Sequence, residues 1–129
     1  DIDILLKMDD ENIKKYLKLL KEWGFKPKVP VDIMDFAKKE KREEWINEKN
    51  MRAFNLYNEN WAISEIDVLI ESPVNYEDAI KNVEYKEVKG VRIPVISPWD
   101  LIKMKQNTGR KQDEADVRYL KQLYGEKRV

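Results

Sequence analysis

Asp1-Ile2-Asp3-Ile4-Leu5-Leu6 is the stretch on which the fold turns. Polar and apolar residues alternate and then give way to an unbroken apolar run, the pattern of a strand entering a core. Successive side chains of a strand point to opposite faces, so Asp1 and Asp3 share one face, about 7 Å apart along the backbone. Ile2 and Ile4 point the other way, into the core. Ser64-Glu65-Ile66-Asp67-Val68-Leu69-Ile70 repeats the pattern, with Glu65 and Asp67 on one face and Ile66 and Val68 on the other. If the two strands are neighbours, Asp67 completes a cluster of three carboxylates. Side-by-side carboxylates repel and are costly to desolvate, and a cation between them removes both costs. A hard divalent ion such as Mg²⁺ takes oxygen ligands of this kind together with waters and substrate phosphates. Glu65 reads as a solvated neighbour or ion-pair partner, not a ligand. No lead-in precedes the strand at Asp1, so further residues are expected upstream.

Working outward, Asp9 and Asp10 supply N-cap chemistry for a helix over 10–23, with Ile13, Tyr16, Leu17, Leu20 and Trp23 at helical spacing and Gly24 as its stop. Residues 25–31 hold two prolines and read as a short edge strand. A helical stretch over 33–47 has its apolar face interrupted by the charge run 38–44 and reads as one helix or two. Residues 51–57 and 62–70 read as strands paired through the polar turn at 58–60. A loop starts at Ser72-Pro73, and a short helix follows near 76–81. Residues 85–88 and 91–95 flank Lys89-Gly90 as a second hairpin. Ser97-Pro98 has the form of a helix start, Ser at the N-cap and Pro at N1, for a helix ending near Gly109. The last helix spans 111–124, with Val117, Leu120 and Leu123 inward. Strands and helices mix without regular βαβ alternation, which predicts an α+β fold with a mixed sheet flanked by helices.

The chain has 129 residues, 42% hydrophobic and 39% charged, a size and composition for one domain with a real core. No apolar run approaches the roughly 20 residues of a membrane span, so a cytoplasmic protein without membrane contact is expected. The absence of Cys and His excludes thiol nucleophiles, thiolate or imidazole zinc sites and serine–histidine triads within these residues. Charge balances at 25 against 25, yet residues 81–129 carry twelve Lys/Arg against seven Asp/Glu. The bland explanation is a solvated surface. The sharper ones are an acidic site facing a basic surface, or a basic nucleic-acid binder built on 81–129. The four tryptophans read as core residues before base-stacking platforms.

The two acidic strands, Asp-Ile-Asp-Ile-Leu and Ile-Asp-Val-Leu-Ile, resemble the nucleotidyltransferase superfamily that includes DNA polymerase β and the minimal nucleotidyltransferases. The tail, Asp100-Leu-Ile-Lys-Met-Lys105 followed by Gly109-Arg110-Lys-Gln-Asp113-Glu-Ala-Asp116-Val, is similar to the closing part of the toxin-type, AbiEii-like branch. The resemblance covers nearly the whole chain and implies one nucleotidyltransferase-like domain over 1–129. It makes Asp1, Asp3 and Asp67 the metal ligands and catalytic carboxylates, with Mg²⁺ or Mn²⁺ as cofactor and an NTP as substrate. Lys105 is then a catalytic residue contacting nucleotide phosphate, and Arg110, Asp113 and Asp116 complete the nucleotide-binding tail. The implied reaction moves an NMP to a hydroxyl acceptor such as tRNA or another RNA, with an antitoxin protein as partner. The family also places a Gly-Ser or Gly-Gly helix start upstream of the first Asp, where backbone amides hold the triphosphate; that segment would precede Asp1. Without it, the alternative is a catalytically inactive binding or regulatory module of the same fold. The residues themselves allow a plainer tail, in which Asp113 and Asp116 favour the helix N-terminus and hold Arg110 or Lys105 in a structural ion pair, or Lys105 snorkels.

Overall fold

The computed structural model describes residues 2–125. The chain divides into two units, Asp1–Ser72 and Pro73–Val129, and the boundary falls at the Ser72-Pro73 loop start. In the first unit, β1 (Ile2–Ile4), β2 (Lys26–Pro27), β3 (Ala53–Tyr57) and β4 (Glu65–Leu69) form one sheet in the order β1-β4-β3-β2. β1 runs parallel to β4 in the register Ile2↔Ile66, Asp3↔Asp67, Ile4↔Val68. The other two pairings are antiparallel, so the sheet is mixed.

α1 (Asp10–Glu22) starts where Asp9 accepts a hydrogen bond from the Glu11 amide, with Asp10 and Glu11 set against the positive helix end. It stops at Gly24, whose φ of +90° suits glycine and where a Cβ would sit 3.2 Å from Asn58. Its buried stripe, Ile13, Leu17 and Leu20, packs with Phe54, Leu56, Ile66 and Val68 of the sheet. Each such side chain contributes roughly 1.5–3 kcal/mol by leaving water. The stretch 33–47 does divide, into a 3₁₀ turn (Ile33–Ala37) and α2 (Lys39–Lys49). Phe36 and Trp45 each stack on Phe54, at 5.0 and 5.2 Å between ring centroids.

The charge run 38–44 is not all solvated. Arg42 is buried, donates to the Phe36 carbonyl at 2.7 Å and lies over the Phe36 ring, with Asp10 3.6 Å away. Two tryptophans depart from the expected core. Trp45 is buried and Trp99 half-buried, but Trp23 and Trp61 stay exposed, stacked on each other at 5.0 Å. Mutual stacking removes part of each ring from water without an inward position, because both sit in turns at the end of the sheet rather than on its covered face. Ile2 faces the core side but remains exposed because β1 is an edge strand.

The second unit holds α3 (Tyr76–Ala79), a 3₁₀ turn (Ile80–Asn82), the hairpin β5 (Glu84–Val88) and β6 (Val91–Val95), α4 (Pro98–Lys105) and α5 (Lys111–Tyr124). Lys89 and Gly90 have φ of 51° and 80°, the two positive values of a type I′ turn. Ser97 Oγ accepts from the Asp100 amide at 3.1 Å, with Pro98 at the first helical position. α4 ends at Lys105 and not near Gly109, because the chain turns through positive φ at Asn107 and Gly109. Val117 and Leu120 are half-buried as expected of an inward stripe, whereas Leu123 is exposed. α5 has 14 residues and α4, against which it packs, only 8, so the last turn of α5 overhangs. The architecture is α+β with a mixed sheet flanked by helices. Among the described residues no helix is long and apolar enough to cross a membrane.

Candidate functional site

Parallel register sets Asp3 directly beside Asp67 on the sheet face opposite the core, across strands roughly 4.8 Å apart. β3 adds Asn55, which pairs with Asp67 in the antiparallel register and whose Nδ2 donates to Asp67 Oδ1. Three adjacent strands thus present a carboxylate, a carboxylate and an amide in a row. Asp3 and Asn55 are exposed and Asp67 is half-buried. Asp1, the remaining expected ligand, lies outside the described residues.

The local charge pattern separates these groups from their neighbour. Glu65, two residues before Asp67 and on the same face, forms an ion pair with Lys28. Lys28 is brought there by the β2–β3 pairing, its amide bonding the Asn55 carbonyl at 3.1 Å. Within Asp1–Ser72 neither Asp3 nor Asp67 has an ion pair with a described residue. The prediction that Glu65 serves as a salt-bridge partner agrees with this geometry. Asp3 and Asp67 offer hard anionic oxygens, and the Asn55 bond fixes the Asp67 side chain while occupying only one of its oxygens. That donor set fits a divalent ion which keeps waters or phosphate oxygens as its other ligands. Among the described residues no group of three or more Asp or Glu side chains is placed to hold a metal.

Within Pro73–Val129 the tail residues come together with one another. Lys105 at the end of α4 bonds Asp116 Oδ2 at 2.7 Å and lies 3.6 Å from Asp113 Oδ1. Arg110 Nε lies 3.7 Å from Asp113 Oδ2, which also accepts from Thr108 Oγ1 at 2.8 Å. Gln112 donates to the other Asp116 oxygen at 2.9 Å. Two cations meet two carboxylates, and the cluster is neutral. The hydrogen bond to Asp116 holds Lys105 protonated above the ordinary lysine range, although partial burial works against it. The Lys105 bond, then that of Gln112, keeps Asp116 below the ordinary aspartate range. Asp113 is nearly buried, so its partners compensate a desolvated charge.

Asn55, Thr108 and Gln112 were not singled out from sequence. Asn55 is the sole amide in Ala53-Phe54-Asn55-Leu56-Tyr57, and only its position opposite Asp67 gives it meaning. Thr108 directly precedes the Gly109-Arg110 part of the tail motif, and Gln112 is a position within it to which the resemblance gives no role. Asp100 is buried with its Oδ2 unpartnered, as is the Trp99 indole nitrogen, among the described residues. Compared with models of known families, with curated proteins and with solved structures, the chain matches none.

Proposed function

We propose that the chain is a metal-dependent nucleotidyltransferase, transferring an NMP from an NTP to a hydroxyl acceptor with release of pyrophosphate. What supports this is one observation: two in-register carboxylates, Asp3 and Asp67, share one sheet face without a basic side chain to pair them among the described residues of Asp1–Ser72. Such a pair is held against its own repulsion, and a cation relieves it. Asp3 and Asp67, with Asp1 by resemblance, would hold Mg²⁺ or Mn²⁺, which would polarise the phosphoryl oxygens and favour ionisation of the attacking hydroxyl. Asn55 orients Asp67 by donating to Oδ1, so that little rearrangement is needed on binding. In the reaction the acceptor oxygen bonds the α-phosphorus, the bond to pyrophosphate breaks, and the hydroxyl proton is released. An RNA acceptor such as tRNA and an antitoxin partner rest on the resemblance alone.

A second reading, an inactive binding or regulatory module of the same fold, is favoured by the tail, where Asp113 and Asp116 neutralise the Lys105 and Arg110 charges assigned to nucleotide phosphate. One experiment separates them. The protein, expressed from its native reading frame, is incubated with each α-labelled NTP, Mg²⁺ and total RNA. The enzyme reading predicts Mg²⁺-dependent label transfer, lost in Asp3→Asn and in Asp67→Asn. No transfer and no thermal stabilisation by any NTP would leave the module.

A further inference from the structure

The β5–β6 hairpin is exposed along its whole length, and among the described residues neither strand has a second neighbour. An isolated two-stranded hairpin is marginal in water, and an open edge invites a further strand. The two edges differ. Val88 and Val91 close a two-residue type I′ turn and therefore form a hydrogen-bonded pair, and bonded and non-bonded pairs alternate from there. Tyr85↔Pro94 and Glu87↔Arg92 are then non-bonded pairs. Pro94 turns its donor-less nitrogen outward and blunts the β6 edge. On β5, Tyr85 and Glu87 direct both N–H and C=O outward.

We infer that the β5 edge is a self-association site, at which two copies of the chain pair β5 against β5 antiparallel and merge their hairpins into one four-stranded sheet. The occupant follows from charge. Outward residues pair only with outward residues, so the two-fold axis must pass through a residue of β5. Centring on Glu84, Lys86 or Glu87 sets that charge against its own copy, which is destabilising. Centring on Tyr85 instead sets Glu84 opposite Lys86 twice, by symmetry, and aligns Glu87 with Val83. The opposite face is already occupied within one copy, where the Arg92 guanidinium lies 3.9 Å over the Tyr85 ring. The Glu84–Lys86 pairs lie on the same face as Val88, Val91, Ile93 and Val95, Val91 being 60% exposed in one copy alone.

Sedimentation equilibrium of the full chain tests this. The wild type is expected to show a concentration-dependent dimer. Glu84→Lys and Lys86→Glu should each weaken it on the order of tenfold or more. An equimolar mixture of the two variants should recover a heterodimer, and the double exchange Glu84→Lys/Lys86→Glu a homodimer. Recovery of this kind cannot come from misfolding. The chain has no cysteine, so Tyr85→Cys should form an intermolecular disulfide on oxidation, at a Cα spacing of about 5.5 Å, while Arg92→Cys on the blunted edge should not. A monomer at all concentrations, a dimer indifferent to the charge reversals, or preferential cross-linking at position 92 would overturn the proposal.

Discussion

Each half of the chain brings two aspartates together, and it treats them in opposite ways. In Asp1–Ser72, Asp3 and Asp67 lie side by side, Asp67 accepting one hydrogen bond from the Asn55 amide, with no described cation of that unit paired to either. In Pro73–Val129, Asp113 and Asp116 share Lys105, Arg110, Thr108 and Gln112. The second arrangement is what a carboxylate needs when its role is to hold two helices, since each desolvated oxygen finds a donor. The first is what it needs when its partner comes from solution. The resemblance assigns Asp3 and Asp67 to metal and Asp113 and Asp116 to nucleotide; what separates the two pairs in the structure is that Asp113 and Asp116 are ion-paired within their own unit.

The largest effect that would break this contrast is on turnover. Asp3→Asn or Asp67→Asn should lower Mg²⁺-dependent transfer at least ~100-fold while leaving the metal-free melting temperature unchanged or slightly raised, because the substitution removes a repulsion and still leaves the Asn55 donor an acceptor. A large drop in melting temperature for either variant would mean that the pair is structural. Next in size, Asp113→Ala should cost about 2–3 kcal/mol in urea unfolding, since Thr108 and the two cations lose a nearly buried acceptor. Third, acid should act on the tail through Asp116. Its pKa is depressed in the folded state, so its contribution is complete above the ordinary aspartate value and is lost as pH falls through the folded value. Asp116→Asn should therefore flatten the stability profile in acid and leave neutral pH the reference for comparison. Lys105 acts at the other end, its raised pKa giving a contribution present below the ordinary lysine value and lost as alkali titrates it. Smallest of all, breaking the Lys28–Glu65 pair with Lys28→Met should change stability by roughly 0–1 kcal/mol, the range of exposed ion pairs.

Much of the fold was legible because it rests on local chemistry. The Asp9 cap, the Gly24 stop, the Lys89-Gly90 turn and the Ser97-Pro98 start each mark a boundary with residues few other conformations favour, and α1, β5, β6 and α4 begin or end beside them. Alternation assigned Asp3 and Asp67 to the faces away from the core. It could not say that β1 and β4 are neighbours, because adjacency of strands more than 60 residues apart in sequence depends on the whole packing and not on either segment. The same limit hid Asn55, an ordinary strand residue until β3 pairs with β4. Arg42 was hidden for a different reason: a charged residue in a charge run reads as solvated, and only the Phe36 carbonyl and ring give its guanidinium an inward partner. Trp23 and Trp61 defeat composition-based reasoning because two rings in turns can shelter each other.

The contrast between open and compensated aspartates is tested most directly by paramagnetic line broadening in ¹⁵N-resolved NMR, with Mn²⁺ added in substoichiometric steps. Amide signals of Asp3, Asn55 and Asp67 should broaden first, while those of Asp113 and Asp116 persist. Broadening that begins at Asp113 and Asp116, or that spreads evenly over the acidic residues, would contradict the assignment of Asp3 and Asp67 as the cation site.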